Sequence, residues 1–228
     1  MALCMVILSL FFSTAAHAAC APFPSSWNTL SSAFRQPQPP RVQSEFETHL
    51  VQHKWNNDVS HITAGFLRNS PSERLVRVDH VFDGQLATSL FNFTNTTTVR
   101  IPGSNRNITM VDNTQVTVSD GLTKKTEFRD YVISNYPLIG PDFLVEHAAV
   151  FAGFAKRDLV NERLASWSIM YQGSIPVTVF VDACNVVRGY DYFAPELRTR
   201  VVNLFFNTRV GRKGNESRNG LEQGRLGR

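Results

Sequence analysis

The feature that most constrains this chain is a two-residue alternation of apolar and polar side chains, recurring from Phe46 onward. Its cleanest examples are Ala165, Trp167, Ile169, Tyr171 and Ile175, Val177, Val179, Val181. Successive side chains of a strand point to opposite faces, so each set makes one continuous apolar face of a β-strand. Strands are expected over residues 46–55, 59–68, 73–82, 86–93, 96–101, 108–111, 115–118, 163–171, 174–183, 186–193 and 197–207. Breaks such as Asn56-Asn57-Asp58, Asp83-Gly84, Gly173 and Asn185 suit hairpin turns, so antiparallel neighbours follow. One stretch departs from this rhythm. After Gly140-Pro141, Phe143, Leu144, Ala148, Phe151 and Phe154 fall near helical spacing, and a helix is predicted over 142–154.

No interior linker and no repeat divides the chain. The expectation is therefore a β-dominated α+β fold with a single domain over 46–208. A Pro/Ser-rich extended lead-in occupies 19–45, with Pro37-Gln38-Pro39-Pro40 at its centre. The core has enough material: 43% of the residues are hydrophobic and 17 are phenylalanine. No apolar run reaches the ~18–20 residues of a membrane-spanning helix, which predicts a soluble mature chain.

The first eighteen residues read as a signal peptide. Residues 3–12 are apolar, and Ala16 and Ala18 supply the small residues of a cleavage site. Secretion is thus predicted. Removing the leader also removes Cys4, leaving Cys20 and Cys184, and an oxidising compartment favours a disulfide between them. In the same compartment the sequons at Asn92, Asn95, Asn107 and Asn215 become candidate N-glycosylation sites. The first three lie close together and mark a surface edge.

Residues 209–228 carry Arg209, Arg212, Lys213, Arg218, Arg225 and Arg228 against Glu216 and Glu222, a net charge equal to the +4 of the whole chain. A tail with so little to bury is expected to be disordered; it suits anionic glycans or a membrane surface, or is simply a solvated end. The neutral remainder and the secretory route argue against nucleic acid.

Chemistry is sparse. Nucleophile-elbow, P-loop, dinucleotide, zincin and EF-hand signatures are missing from the sequence. His49 and His53 share a strand face, with His61 across the expected hairpin; they form either a transition-metal triad or, the favoured reading, a polar stripe beside Trp55. His147 falls on the predicted apolar helix face. Asp79 with Asp83, and Asp182 with Asp191 and Glu196, offer fewer oxygens than the six to eight of a Ca²⁺ site, and Asp83 and Asp182 read more simply as turn residues. No catalytic or metal site is assigned.

The run Arg74-Leu75-Val76-Arg77-Val78-Asp79 with the Asp83-Gly84 turn resembles an early strand pair of the ependymin-related secreted proteins. Ser174-Ile175-Pro176-Val177, then Tyr190-Asp191-Tyr192-Phe193 and Phe205-Phe206, are similar in order to that family and to the LolA/LolB lipoprotein carriers. The resemblance implies a curved antiparallel half-barrel packed on a helix, with an apolar cavity on its concave side. It further implies a non-enzymatic binder of a lipid or other amphipathic molecule, with calcium as an occasional partner. The face carrying Trp167, Ile169, Tyr171, Val177, Val179, Tyr190 and Tyr192 is then the expected ligand wall. Two alternatives stay open: a glycosylated interaction or adhesion protein with a filled core, and a secreted metal-dependent enzyme.

Overall fold

The structure is a computed structural model and describes residues 20–28, 30–56, 60–82, 84–100, 107–119, 124–195 and 198–211. The predicted signal peptide, Asn215 and most of the predicted tail lie outside the described residues. The strands are β1 (Phe46–Trp55), β2 (Ser60–Ser70), β3 (Leu75–Phe82), β4 (Gln85–Arg100), β5 (Asn107–Ser119), β6 (Lys124–Val132), β7 (Val150–Arg157), β8 (Val160–Tyr171), β9 (Ile175–Val181), β10 (Val187–Ala194) and β11 (Thr199–Val210). They form one open, curved eleven-stranded sheet in the order β6-β5-β4-β3-β2-β1-β11-β10-β9-β8-β7. Every pairing is antiparallel. The N-terminal meander grows outward from β1 to the β6 edge. The C-terminal one returns from the β7 edge until β11 closes against β1.

That order dictates what covers the sheet. β6 and β7 follow one another in sequence yet form opposite edges. Ten strand spacings are about 48 Å on a flat sheet, and residues 133–149 reach about 60 Å when extended. The connection therefore has to cross the sheet, and it packs on the inward face: Tyr136, Ile139, Phe143 and Leu144 are all in the core. We call it the strap. The lead-in covers a second part of the same face. Its 3₁₀ turn, Ser25–Trp27, brings Phe23 and Trp27 onto the core, joined by Phe34. Its ends are fixed by the Cys20–Cys184 disulfide, with Cα atoms 5.2 Å apart, and by a parallel bridge from Gln43 to Val186.

The predicted helix over 142–154 is corrected. Only one turn, α1 (Phe143–Glu146), is helical, and Ala148 follows at φ 46°, which ends it. Residues from Val150 onward are strand β7. Phe151 and Phe154 sit three apart on one face because a β-bulge intervenes at Gly153, whose φ of 107° suits glycine. The bulge thus imitates helical spacing. The expected breaks inside 86–101 and 108–118 are also absent: β4 and β5 each run through, with a bulge between Asn92 and Thr96. Asp112 holds this bulge by accepting from Asn95 Nδ2 at 3.0 Å and from Arg129 at 2.8 Å. β6 was not foreseen, since its side chains from Lys124 to Asp130 are exposed on both faces and show no alternation. At the C-terminus β11 continues past the predicted domain end at 208, pairing Arg209 with Glu47 and Val210 with Phe46.

Candidate functional site

The inward face is built from rows of residues in register. One row runs Gln52–Asn203–Tyr190–Val179–Trp167 across β1, β11, β10, β9 and β8. The next runs Lys54–Val201–Tyr192–Val177–Ile169, and Tyr171 faces Ile175 beyond it. The seven predicted ligand residues therefore share one wall, but that wall has two different covers.

Around Trp167 it is filled. The indole is fully buried, 5.9 Å from Trp27 and 5.4 Å from Phe151 between ring centroids. Phe154 and Phe23 complete the aromatic cluster at 5.2 and 5.1 Å. The Trp167 Nε1–H finds no hydrogen-bond acceptor among the described residues. Val179 is equally buried.

Toward Tyr171 the cover changes from aromatic plug to polar strap, and a pocket of about 70 Å³ remains. It is walled by Tyr171, Ile175, Val177, Tyr190 and Tyr192 and roofed by Ile133, Ser134, Asn135 and Pro137, with Lys54 and Phe143 at its ends. Hydrogen bonds fasten the roof. Tyr190 Oη donates to the Asn135 carbonyl and Tyr192 Oη to Asn135 Oδ1, both at 2.8 Å. Gln52 Nε2 donates to Tyr136 Oη at 3.1 Å and to Asn203 Oδ1 at 2.8 Å. Farther along, Asn69 donates to the Ile139 carbonyl at 2.9 Å and accepts from its N–H at 3.1 Å. Desolvation pushes the hydroxyls of Tyr136, Tyr171, Tyr190 and Tyr192 above the usual tyrosine range, so all four keep their protons well beyond physiological pH.

A second, shallower hollow of about 650 Å³ lies open to solvent beside β8–β10. It is lined by Ile169, Met170, Pro176, Val177, Tyr192 and Phe193, among others. Of the predicted ligand residues, Tyr171, Val177, Tyr190 and Tyr192 line the strap pocket and Ile169, Val177 and Tyr192 the hollow; Trp167 and Val179 line neither.

The histidine triad does not assemble. His49 and His53 point outward, His49 against Phe206 and Phe66 and His53 against Trp55. His61 pairs with Lys54 on the inward face, so the register separates it from the other two. His147 lies tilted against Phe143 and Tyr171, with ring centroids 4.7 and 5.5 Å away. Among the described residues no group of three or more His, Cys, Asp or Glu converges on a metal position. Asp182 is a turn residue, as its sequence context suggests: it accepts from the Cys184 and Val186 N–H groups and pairs with Arg188. Asp191 is bound to Arg157 at 2.5 Å, beneath which lies the Phe180 ring.

No family model and no curated protein sequence matches the chain. Among solved structures it is similar to a DUF1329 family protein from Desulfovibrio piger, at 8% identity, over 75% of this chain and 88% of that one, with a TM-score of 0.31. It is also similar to a domain described as that of an outer membrane lipoprotein-sorting protein, from Vibrio parahaemolyticus, at 9% identity, over 78% and 89%, with a TM-score of 0.33. No helix among the described residues is long and apolar enough to cross a membrane.

Lys54 and Asn135 were missed by sequence reasoning. Lys54 had a signal: it ends the inward series Phe46, Thr48, Leu50, Gln52, where a charge breaks the pattern. Asn135 had none, because its role depends on where the strap crosses.

Proposed function

We propose that this chain is a secreted glycoprotein that binds a lipid or other amphipathic molecule, without catalysis, between the strap and the inward face of its sheet. The observation that carries this reading is the mostly apolar pocket under Ile133–Pro137, where four of the predicted ligand residues meet a cover held by hydrogen bonds. Ligand sites generally enclose about 300–1,000 Å³, far more than this pocket does. Binding therefore requires the strap to lift. The test is to strip the protein of bound lipid and add dodecanol below its micellar concentration, following uptake by native mass spectrometry and amide exchange across residues 133–143. Uptake with altered exchange there supports the reading. No uptake, or uptake that leaves these amides unchanged, removes it.

The interaction-protein alternative has one observation in its favour. Leu86, Val81, Ala64, Val51 and Leu204 stand in register on the outward face, and Leu86 and Val81 are exposed. Val81→Lys would abolish self-association or partner binding there without touching dodecanol uptake.

A further inference from the structure

We propose that the head group of the bound amphiphile is an anion, a carboxylate or a phosphate, held by Lys54. This rests on the binding reading above and names its ligand class. Among the described residues Lys54 is the one charged residue lining the strap pocket, and no carboxylate lines it. Among the described residues Lys54 has no acidic partner either. Its neighbours across the ladder are His61 on one side and Val201 on the other.

Most other polar groups of the wall and roof already have partners. The Tyr190 and Tyr192 hydroxyls hold Asn135, and Ser134 Oγ donates to the Tyr136 carbonyl at 2.8 Å. Gln172 exchanges hydrogen bonds with the Thr109 backbone. The lysine ammonium is thus, among the described residues, the cationic donor left to a ligand, with the Tyr171 hydroxyl as a neutral one on the same wall. A half-buried cation facing an apolar pocket is stabilised most by an anion that brings its own apolar chain.

The geometry gives the ligand a direction. From Lys54 the row passes Val201 and Tyr192 to Val177, three strand spacings or about 14 Å, and ends toward Ile175 and Phe143. The head sits at β1 and the chain runs across the strands toward β9. A single-chain amphiphile matches this polarity: charge at one end, hydrocarbon at the other.

The experiment uses the lipid-stripped protein and four probes with one chain length: dodecanoate, dodecyl phosphate, dodecanol and dodecyltrimethylammonium. Affinities are measured by calorimetry below the micellar concentrations, for wild type, Lys54→Gln and Lys54→Arg. The expected result is that at least one anion binds about tenfold or more tightly than dodecanol. The cation should bind weakest. Lys54→Gln should bring the anions down to the alcohol's affinity and leave the alcohol unchanged, while Lys54→Arg restores the preference. The carboxylate and phosphate arms separate the two head groups. Equal binding of alcohol and anions, or a preference that survives Lys54→Gln, overturns the proposal while the binding reading stands. If none of the probes binds wild type, the binding reading fails and takes the proposal with it.

Discussion

Replacing Asn69 by Ala tests whether the strap is held where the structure says it is. Asn69 is almost fully buried on β2, and its carboxamide makes three contacts: to the Ser44 carbonyl at 2.6 Å, to the Ile139 carbonyl at 2.9 Å, and from the Ile139 N–H at 3.1 Å. Alanine removes all three and leaves both backbone groups of Ile139 without a partner, while Ile139 itself is 2% exposed. Each polar group stranded in this way costs about 1–3 kcal/mol, so a total near 3 kcal/mol is expected once local relaxation or an entering water recovers part of it. The comparison is Arg41→Ala. It breaks the ion pair to Asp142 on the same strap, but the side chains there are 70% and 40% exposed, and the expected loss is below about 0.5 kcal/mol. Urea unfolding gives the two stabilities, and native-state exchange of the Ile139 amide reports the strap directly. If part of the loss is local opening, dodecanol affinity rises with the open fraction, tenfold for each ~1.4 kcal/mol. A loss under about 1 kcal/mol with unchanged Ile139 protection would refute the anchoring argument. Faster exchange with unchanged affinity would refute the strap as a lid.

Three further outcomes follow from the same geometry. Trp167→Ala should cost about 3–5 kcal/mol in urea unfolding, because the indole fills a closed aromatic cluster, and should leave dodecanol affinity at the strap pocket within about twofold; a loss below about 1 kcal/mol would mean the site is loosely filled. Desolvation raises the folded pKa of Tyr136, Tyr190 and Tyr192, so the folded state keeps protons that the unfolded state releases above about pH 10. Stability should therefore be flat with respect to these groups below that pH and fall as pH rises above it, in a series of denaturant titrations; flat stability through pH 11 would contradict their burial. In protein secreted from eukaryotic cells, Asn92→Gln should remove one glycan by intact mass and Asn95→Gln none, since Asn95 Nδ2 donates to Asp112 and Oδ1 accepts from Tyr131. A glycan found on Asn95 would show that the bulge forms without those bonds.

How much of this was legible depends on which physical signal each residue leaves in the sequence. The register pairs Trp167 with Val179 and Ile169 with Val177, as the alternation in β8 and β9 requires, because burial of one face leaves a period-two pattern. The helix reading failed at Phe151 and Phe154 for an equally physical reason: a bulge adds one residue, and two plus one is close to a helical step. β6 escaped because an edge strand exposed on both faces has no pattern to show. The shared strand face was readable for the same reason as the fold, while its reading as a ligand wall came from the resemblance; Tyr171, Val177, Tyr190 and Tyr192 of that face line the strap pocket. Its cover was not. Periodicity reports which face of a strand is buried and carries no information about what buries it.

What buries it is decided by topology, and this determines which half of the wall can open. The lead-in covers the Trp167 half with Phe23, Trp27 and Phe34, held at one end by the disulfide. Lifting it would strip several large aromatics from their neighbours at about 3–5 kcal/mol for a side chain of that size. The strap covers the other half with Ser134, Asn135 and Pro137, and its grip there is three hydrogen bonds, two to Asn135 and one to Tyr136, together with a single buried ring, that of Tyr136 against Phe91 at 5.9 Å. Such bonds contribute about 0.5–1.5 kcal/mol each, and water can replace them when the strap moves. Ile139, Phe143 and Leu144 anchor the farther stretch in the core, so the movable segment is short and ends at the Asn69 clasp. The less costly opening therefore coincides with the end of the wall where Lys54 and the tyrosines stand, because one ring has to leave the core there against three under the lead-in.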